Sequence, residues 1–509
     1  VSADFLDRLA GHAARTPDAS ALGRVGDRAL TYRELVDTVA RVADNLRARG
    51  FRPGDRMLFS IRPGVESVLL VFGTIAAGGT IVFVDPGVGP ELFARRLALV
   101  EPSWAATESL LYAVSGPLSR LGRTRGLTLP RFGALAVRHL HSGPWLPGTP
   151  WRSTPLRKLS ERPPRGVAPA PAADPDAAAL IVFTSGTTAE PRAVVHTRGS
   201  LSAGLAAMGG RTTLAPGAHL HTEQLMMGLP ALMAGARWSL PRYPRLGTHV
   251  DPVRFTAGLG AATHAFYTPA DLAAGLDAVA SGTIEAPRYL RQVALGGAPV
   301  TVSLLRRARD LLPGTEFLAV YGMTEILPVA VATGADKLAC DGDLLGAPVD
   351  GVRARIAQDG ELILSGPNLC RGYLGEPPLT EVRTGDLARW DGDRLVLTGR
   401  KKDMMIRGKT NIYPGLYEPA IAALDGVREA VLVGLPDDIG DERIVLALVT
   451  DPAAGDVLAR VRGALPGLID ASALPDDIVE VESIPVTGRT SKPDRAALRR
   501  RLAATLGPS

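Results

Sequence analysis

Apolar positions along this chain recur in two periods, one near 3.6 and one of 2, and their alternation predicts where helices and strands fall. The opening VSADFLDRLAGHAARTPD reads as an amphipathic helix ending near Pro17. A second helix follows Thr31, which caps it with Glu34 at the capping-box spacing, and its apolar face runs through Leu35, Val39, Val42 and Leu46 toward Gly50. Arg56 to Ser60 reads as a strand, Val65 to Gly78 as a helix and Thr80 to Val84 as a strand, the order of a parallel α/β unit. From about Trp104 to Ala177 no period is sustained, and prolines crowd the later part, from Pro144 to Pro175. That stretch is expected to be irregular, ending in a surface excursion that re-enters the sheet at Ala179.

Gly204 to Met208 and Met226 to Leu232 look helical, and Trp238 to Leu240 and Ala265 to Thr268 look like strand ends. Val293 to Leu295 is a short strand emptying into Gly296-Gly297-Ala298-Pro299, and Phe317 to Tyr321 another that ends at YGMTE. Open α/β sheets build ligand sites from loops at one rim in this way. From Gly342 the pattern changes to short strands and turns at Val352 to Ala357, Gly360 to Ser365 and Arg394 to Thr398, an antiparallel β subdomain of about 342–400. Beyond Arg400, helices at Tyr413 to Leu424 and Val457 to Ala464 alternate with strands at Ala430 to Leu435, Ile444 to Val449 and Asp477 to Val481. The expected fold is a multi-domain α/β chain: a large domain over 1–400 and a small, separately moving α+β lobe over 401–509.

A length of 509 residues is too great for one core, and 46% apolar residues is a globular composition. No uncharged apolar run is long enough to span a membrane, and no signal peptide is evident. Two cysteines, Cys340 and Cys370, exclude a disulfide framework or zinc cluster and suit a reducing cytoplasm. The net charge of +5 raises nucleic acid as a partner, but the basic residues are dispersed, so a solvated arginine-rich surface is expected instead. Lysine is more telling. Lys158, Lys337, Lys401, Lys402, Lys409 and Lys492 are the only lysines, so a compact point charge on a slim stem survives where Arg does not otherwise suffice.

The candidate chemistry centres on Ile181 to Thr197. Ile181, Val182 and Phe183 suit a buried strand, and Thr184, Ser185, Gly186, Thr187 and Thr188 then offer hydroxyls and flexible backbone N–H groups, as a phosphate-holding turn does. It is not a P-loop, because no Gly-Lys-Ser/Thr follows. On these residues alone a solvated turn remains open.

Four more stretches follow in order: YGMTE at Tyr321 to Glu325, TGDLARW at Thr384 to Trp390, GRKKDMMIRGKTNIYP at Gly399 to Pro414, and Lys492-Pro493-Asp494-Arg495. Together with TSGTT they resemble the adenylate-forming enzymes, which include acyl-CoA synthetases, nonribosomal adenylation domains and firefly luciferase. The resemblance implies that a carboxylate attacks the α-phosphorus of ATP, with Mg²⁺ present, and that the acyl group passes to CoA or the phosphopantetheine of a carrier protein. It implies that Thr184 to Thr188 and Arg192 hold phosphates, that Tyr321 stacks on adenine beside Gly322, and that Thr324 contacts the α-phosphate. Glu325 would help hold Mg²⁺, Gly296, Gly297 and Ala298 would line adenine and the acyl pocket, and Asp386 and Arg400 would take the ribose. Lys492 would bridge carboxylate and α-phosphate, Lys402 would be the hinge of the small lobe, and Gly408 would border the thiol tunnel.

The resemblance has departures. Ala189-Glu190-Pro191-Arg192-Ala193 stands where the family has Gly-x-Pro-Lys-Gly, and no glycine directly precedes Lys492. Val84 to Gly87 and Glu325 to Ala330 are similar to the β-lactone synthetases of olefin biosynthesis, whereas the Gly399 to Pro414 motif resembles ordinary acyl-CoA ligases. Ligation to a thiol is therefore the leading expectation. Lactone closure by a β-hydroxy acid is the alternative, and a non-catalytic binding homologue the second. His221, Met226, Met227, Phe266, Tyr267 and Met323 suggest a largely apolar acid, while His196 and His264, with no partner identifiable in the sequence, are expected to be satisfied structural histidines rather than a base.

Overall fold

The computed structural model describes residues 4–84, 90–119, 129–163, 172–183, 192–244, 250–407, 410–412, 414–436, 442–469, 473–487 and 492–506, with backbone alone at 402, 406, 407, 410, 411, 416 and 436. Thr184 to Thr188, Ala189, Gly408, Asp85 to Gly87 and Gly488 to Ser491 lie outside the described residues.

Two large sheets carry the body. One has eight strands among the described residues, in the order Gly372–Tyr373, Ala193–Thr197, Ala178–Phe183, Thr80–Phe83, Arg56–Ser60, Trp104–Glu108, Arg138–Ser142 and Thr154–Pro155. From Ala178–Phe183 onward its pairs are parallel, while the first three strands pair antiparallel. The other sheet has thirteen strands, with a parallel centre of His219–His221, His264–Tyr267, Gln292–Leu295 and Glu316–Met323. Val65–Ala76 fills the space beside the first sheet because it is apolar all round, with Val68, Leu70 and Phe72 buried. Tyr32–Ala48 packs on it through Leu35, Val39, Val42 and Leu46. Its capping box is formed as expected: Thr31 Oγ1 accepts from Glu34 N–H at 3.2 Å and Glu34 returns to Thr31 N–H at 2.9 Å.

Two expectations are corrected. The stretch after Trp104 contains strands Trp104–Glu108 and Arg138–Ser142 and helix Ser109–Ser115. These strands are short and end in charged or polar residues, so no period had room to show. The strand reaching YGMTE does not stop at Tyr321. It continues to Met323, turns through Thr324 and Glu325, and returns as Ile326–Thr333. This hairpin joins the parallel centre to strands Asp343–Pro348, Arg353–Ile356, Glu361–Ser365, Val382–Asp391 and Arg394–Arg400, so the β subdomain extends the thirteen-stranded sheet.

After Arg400 a smaller unit forms around the sheet Val427–Pro436, Glu442–Thr450 and Asp477–Glu480, with its own apolar clusters on either face. Helix Pro414–Ala422 packs against strands Arg394–Arg400 and Asp343–Pro348. The approach is close at Gly415, where a Cβ would lie 2.9 Å from Gly399 Cα. No helix among the described residues is long and apolar enough to cross a membrane.

Candidate active site

Asp386 and Arg400 face each other across one rung of the antiparallel ladder between Val382–Asp391 and Arg394–Arg400. The Asp386 side chain is 8% exposed, and Arg400 Nε lies 2.8 Å from its Oδ1. Tyr321 donates its hydroxyl to the other oxygen at 2.7 Å. Burial, with Asp386 next in weight, raises the Tyr321 hydroxyl pKa well above its ordinary value, so the phenol keeps its proton. An ionised carboxylate offers about four acceptor positions, so these two partners leave room for two further donors.

The turn at Thr324 and Glu325 is held from three sides. His196 Nε2 lies 2.7 Å from the Thr324 carbonyl and donates to it, and burial lowers the His196 pKa so that the ring is neutral. Cys370 N–H donates to the Glu325 carbonyl at 2.7 Å. The Glu325 side chain is buried and accepts the Tyr373 hydroxyl at 2.8 Å. Arg192 lies over the Tyr373 ring, 3.4 Å from its centroid, and pairs with Glu376 at 3.2 Å. Tyr373 and the partner of His196 were missed in the sequence because each contact spans a gap of many residues that no local period marks; His196 is a satisfied structural histidine, as expected, and its partner is the Thr324 carbonyl. His264 likewise has partners, Thr213 and Thr263, at 2.9 and 2.8 Å.

Gly296 follows strand Gln292–Leu295, where a Cβ would meet Val320 O at 3.3 Å and the Phe266 ring at 3.5 Å. That is snug rather than forbidding. At Gly297 the backbone itself selects glycine, with φ at +85°. Ala298 is half-buried beside them. Gly322 is tighter, because a Cβ would approach Leu327 Cδ1 to 2.5 Å. Met227 and Phe266 line one apolar cavity with Leu214, Leu220, Pro230 and Ala294. His221 lines neither this cavity nor its neighbour, since it is fully buried against Phe255 and shares the Ser239 hydroxyl with His219.

Lys492 sits in the short strand Lys492–Pro493, paired with Val486–Thr487. Arg495 anchors this segment. It reaches both Glu418 oxygens at 2.6 Å and the Leu432 carbonyl at 2.8 Å, with Asp403 at 3.5 Å. Lys402 lies in the one-turn 3₁₀ helix Lys401–Asp403 immediately after Arg400.

A family model described as AMP-binding enzyme matches residues 9–374. The chain belongs to the AMP-binding enzymes. Its relatives include a salicylyl-CoA synthase / salicylate adenylyltransferase of Streptomyces sp, 30% identical over 93% of this chain and 89% of the relative. A feruloyl-CoA synthase of Amycolatopsis sp is 29% identical over 96% of each chain. The amide bond synthetase of Marinactinospora thermotolerans shares the fold of this AMP-binding enzyme at a TM-score of 0.78, with 23% identity over 98% of this chain and 99% of that one. The chain is an AMP-forming acid ligase with the adenylate-forming fold: it activates a carboxylic acid at the expense of ATP.

Proposed function

We propose that this enzyme activates a largely apolar, aromatic acid as its acyl-adenylate and transfers the acyl group to the thiol of CoA or of a carrier protein. The observation that carries the reading is the constellation of Asp386, Arg400 and Tyr321 beside the Thr324-Glu325 turn. It brings a buried carboxylate, a guanidinium and an aromatic ring together, which supports the binding of a nucleoside there. The ribose would take the two acceptor positions left on Asp386, with adenine against Tyr321 and between Gly296 and Ala298. Thr184 to Thr188 and Arg192 would serve the outer phosphates, Thr324 the α-phosphate, and Gly408 would border the path of the thiol.

Among the described residues no three His, Cys, Asp or Glu side chains could hold a metal ion together. A magnesium ion would be held by one carboxylate, Glu325, together with substrate phosphates and water, the usual donor set for that cation. It would offset phosphate charge, while Tyr373 holds the Glu325 carboxylate in place. The apolar lining around Phe266 and Met227 and the aromatic acids named for the relatives support the substrate class. The unpaired Cys340 and Cys370 suit a reducing cytoplasm.

Lys492 would neutralise the approaching carboxylate and the α-phosphate in the transition state. Lys492→Ala is therefore expected to lower pyrophosphate release by a factor corresponding to about 2.7–4 kcal/mol, with ATP affinity nearly kept. Release at the rate of the unaltered enzyme would overturn the assignment.

A further inference from the structure

The basic residues of this chain are scattered, but its acidic residues are not. No Asp or Glu occurs between Glu108 and Glu161, and none follows Glu161 until Asp174. Among the described residues this interval carries Arg131, Arg138, Arg152, Arg157, Lys158 and Arg162, all exposed. Across the whole interval the sequence has ten Arg or Lys against the single Glu161, a formal +9 in a chain whose total is +5. These exposed cations fit the expected solvated arginine-rich surface, and what is uneven is the missing carboxylates. Of the nearby acids, Asp44 pairs with Arg47 and Glu108 with Arg62, while Glu66 accepts the Ser142 hydroxyl at 3.0 Å.

The interval forms the far edge of the eight-stranded sheet, strands Arg138–Ser142 and Thr154–Pro155. Between them the loop SGPWLPGTPWRS holds out Trp145 at 58% and Trp151 at 79% exposure. Leu118, also exposed, belongs to the same patch, since Pro117 packs at Gly148. The Arg152 guanidinium lies 4.3 Å from the centre of the Trp151 ring. The loop is set rather than loose: Thr149 N–H donates to the Leu146 carbonyl at 3.0 Å and Ser153 N–H to the Pro150 carbonyl at 2.8 Å.

We propose that this edge is a peripheral docking surface for an anionic lipid bilayer. Tryptophan favours the headgroup level, where its ring is half-desolvated and its N–H stays wet, and arginine and lysine beside it are drawn to anionic lipid. A carrier protein fits the position less well. The strand bearing Tyr373, at the site, is first in the sheet order and the patch strand is last, so a partner docked here would stand away from the reacting centre.

The full chain should co-sediment with vesicles of phosphatidylcholine containing phosphatidylglycerol and not with phosphatidylcholine alone. The double variants Trp145→Ser/Trp151→Ser and Arg152→Glu/Arg157→Glu should each weaken that association by about tenfold or more. The thermal midpoint and pyrophosphate release with a water-soluble acid should stay unchanged. The proposal is overturned if the unaltered chain ignores anionic vesicles, binds neutral ones equally, or if both variants bind as it does. It is also overturned if the variants lose binding to an acidic carrier protein or a single-stranded oligonucleotide while keeping the vesicles.

Discussion

The six lysines of this chain separate into different kinds once their surroundings are known. Lys337 is buried and ion-paired with Asp343, and Lys401 bridges Asp359 and Glu361 at 2.6 and 2.7 Å, so both are structural. The rarity of lysine thus marked ion-paired structural cations as well as the candidate Lys492, whereas Lys158 is an exposed surface cation. Asp386 was legible because its neighbours form a compact motif; Tyr373 and His196 were not, because their partners come from distant segments. At Asp386, replacement by Ala should weaken ATP binding by about 1.5–3 kcal/mol for each charge-assisted hydrogen bond lost. Calorimetric titration showing unchanged ATP affinity would remove Asp386 from the ribose. His219 and His221 give a pH dependence. Burial, with Arg237 next for the first and His219 for the second, lowers their pKa values to about 4 and about 3. Because the unfolded chain binds these protons more readily, stability is full above about pH 6.5 and falls as pH drops toward 3, by up to about 1.4 kcal/mol per pH unit for each ring. Denaturant midpoints at pH 7 and pH 5 should differ for the native chain and differ less for His221→Leu; equal differences would acquit His221.

At the scale of elements, the helix Tyr32–Ala48 was legible to its cap because its signal is local, a hydroxyl and a carboxylate three residues apart. The hairpin at Thr324 and Glu325 was hidden, since its turn has no Gly, Asn or Asp and is stabilised by contacts from His196, Cys370 and Tyr373 instead. The short 3₁₀ turn Lys401–Asp403 links the last strand of the body to the small unit, and Arg495 ties Asp403 to helix Pro414–Ala422 through Glu418. If Lys402 is the pivot, proline there should hold φ near about −65° and keep the unit in one orientation. Single-turnover assays of Lys402→Pro should then show adenylate forming and persisting while transfer to CoA collapses. Equal loss of both steps would mean that the pivot lies elsewhere.

At the scale of the molecule, the order of five motifs carried the family and fold, while the joining of the β subdomain to the main sheet depended on long-range pairing such as Ala330 with Pro348. No local pattern encodes that pairing, because either strand could satisfy its hydrogen bonds against another edge. The rung between Asp386 and Arg400 is also the last one before the chain leaves the body. A turn at Lys402 would carry Lys492 away but leave that rung where it stands. An activated acid would then stay moored by its nucleotide during the interval when one reaction has ended and the next has not begun. Such an arrangement would guard against leakage to water, so yield per ATP spent, more than the speed of either step, is what the placement of this one rung would protect.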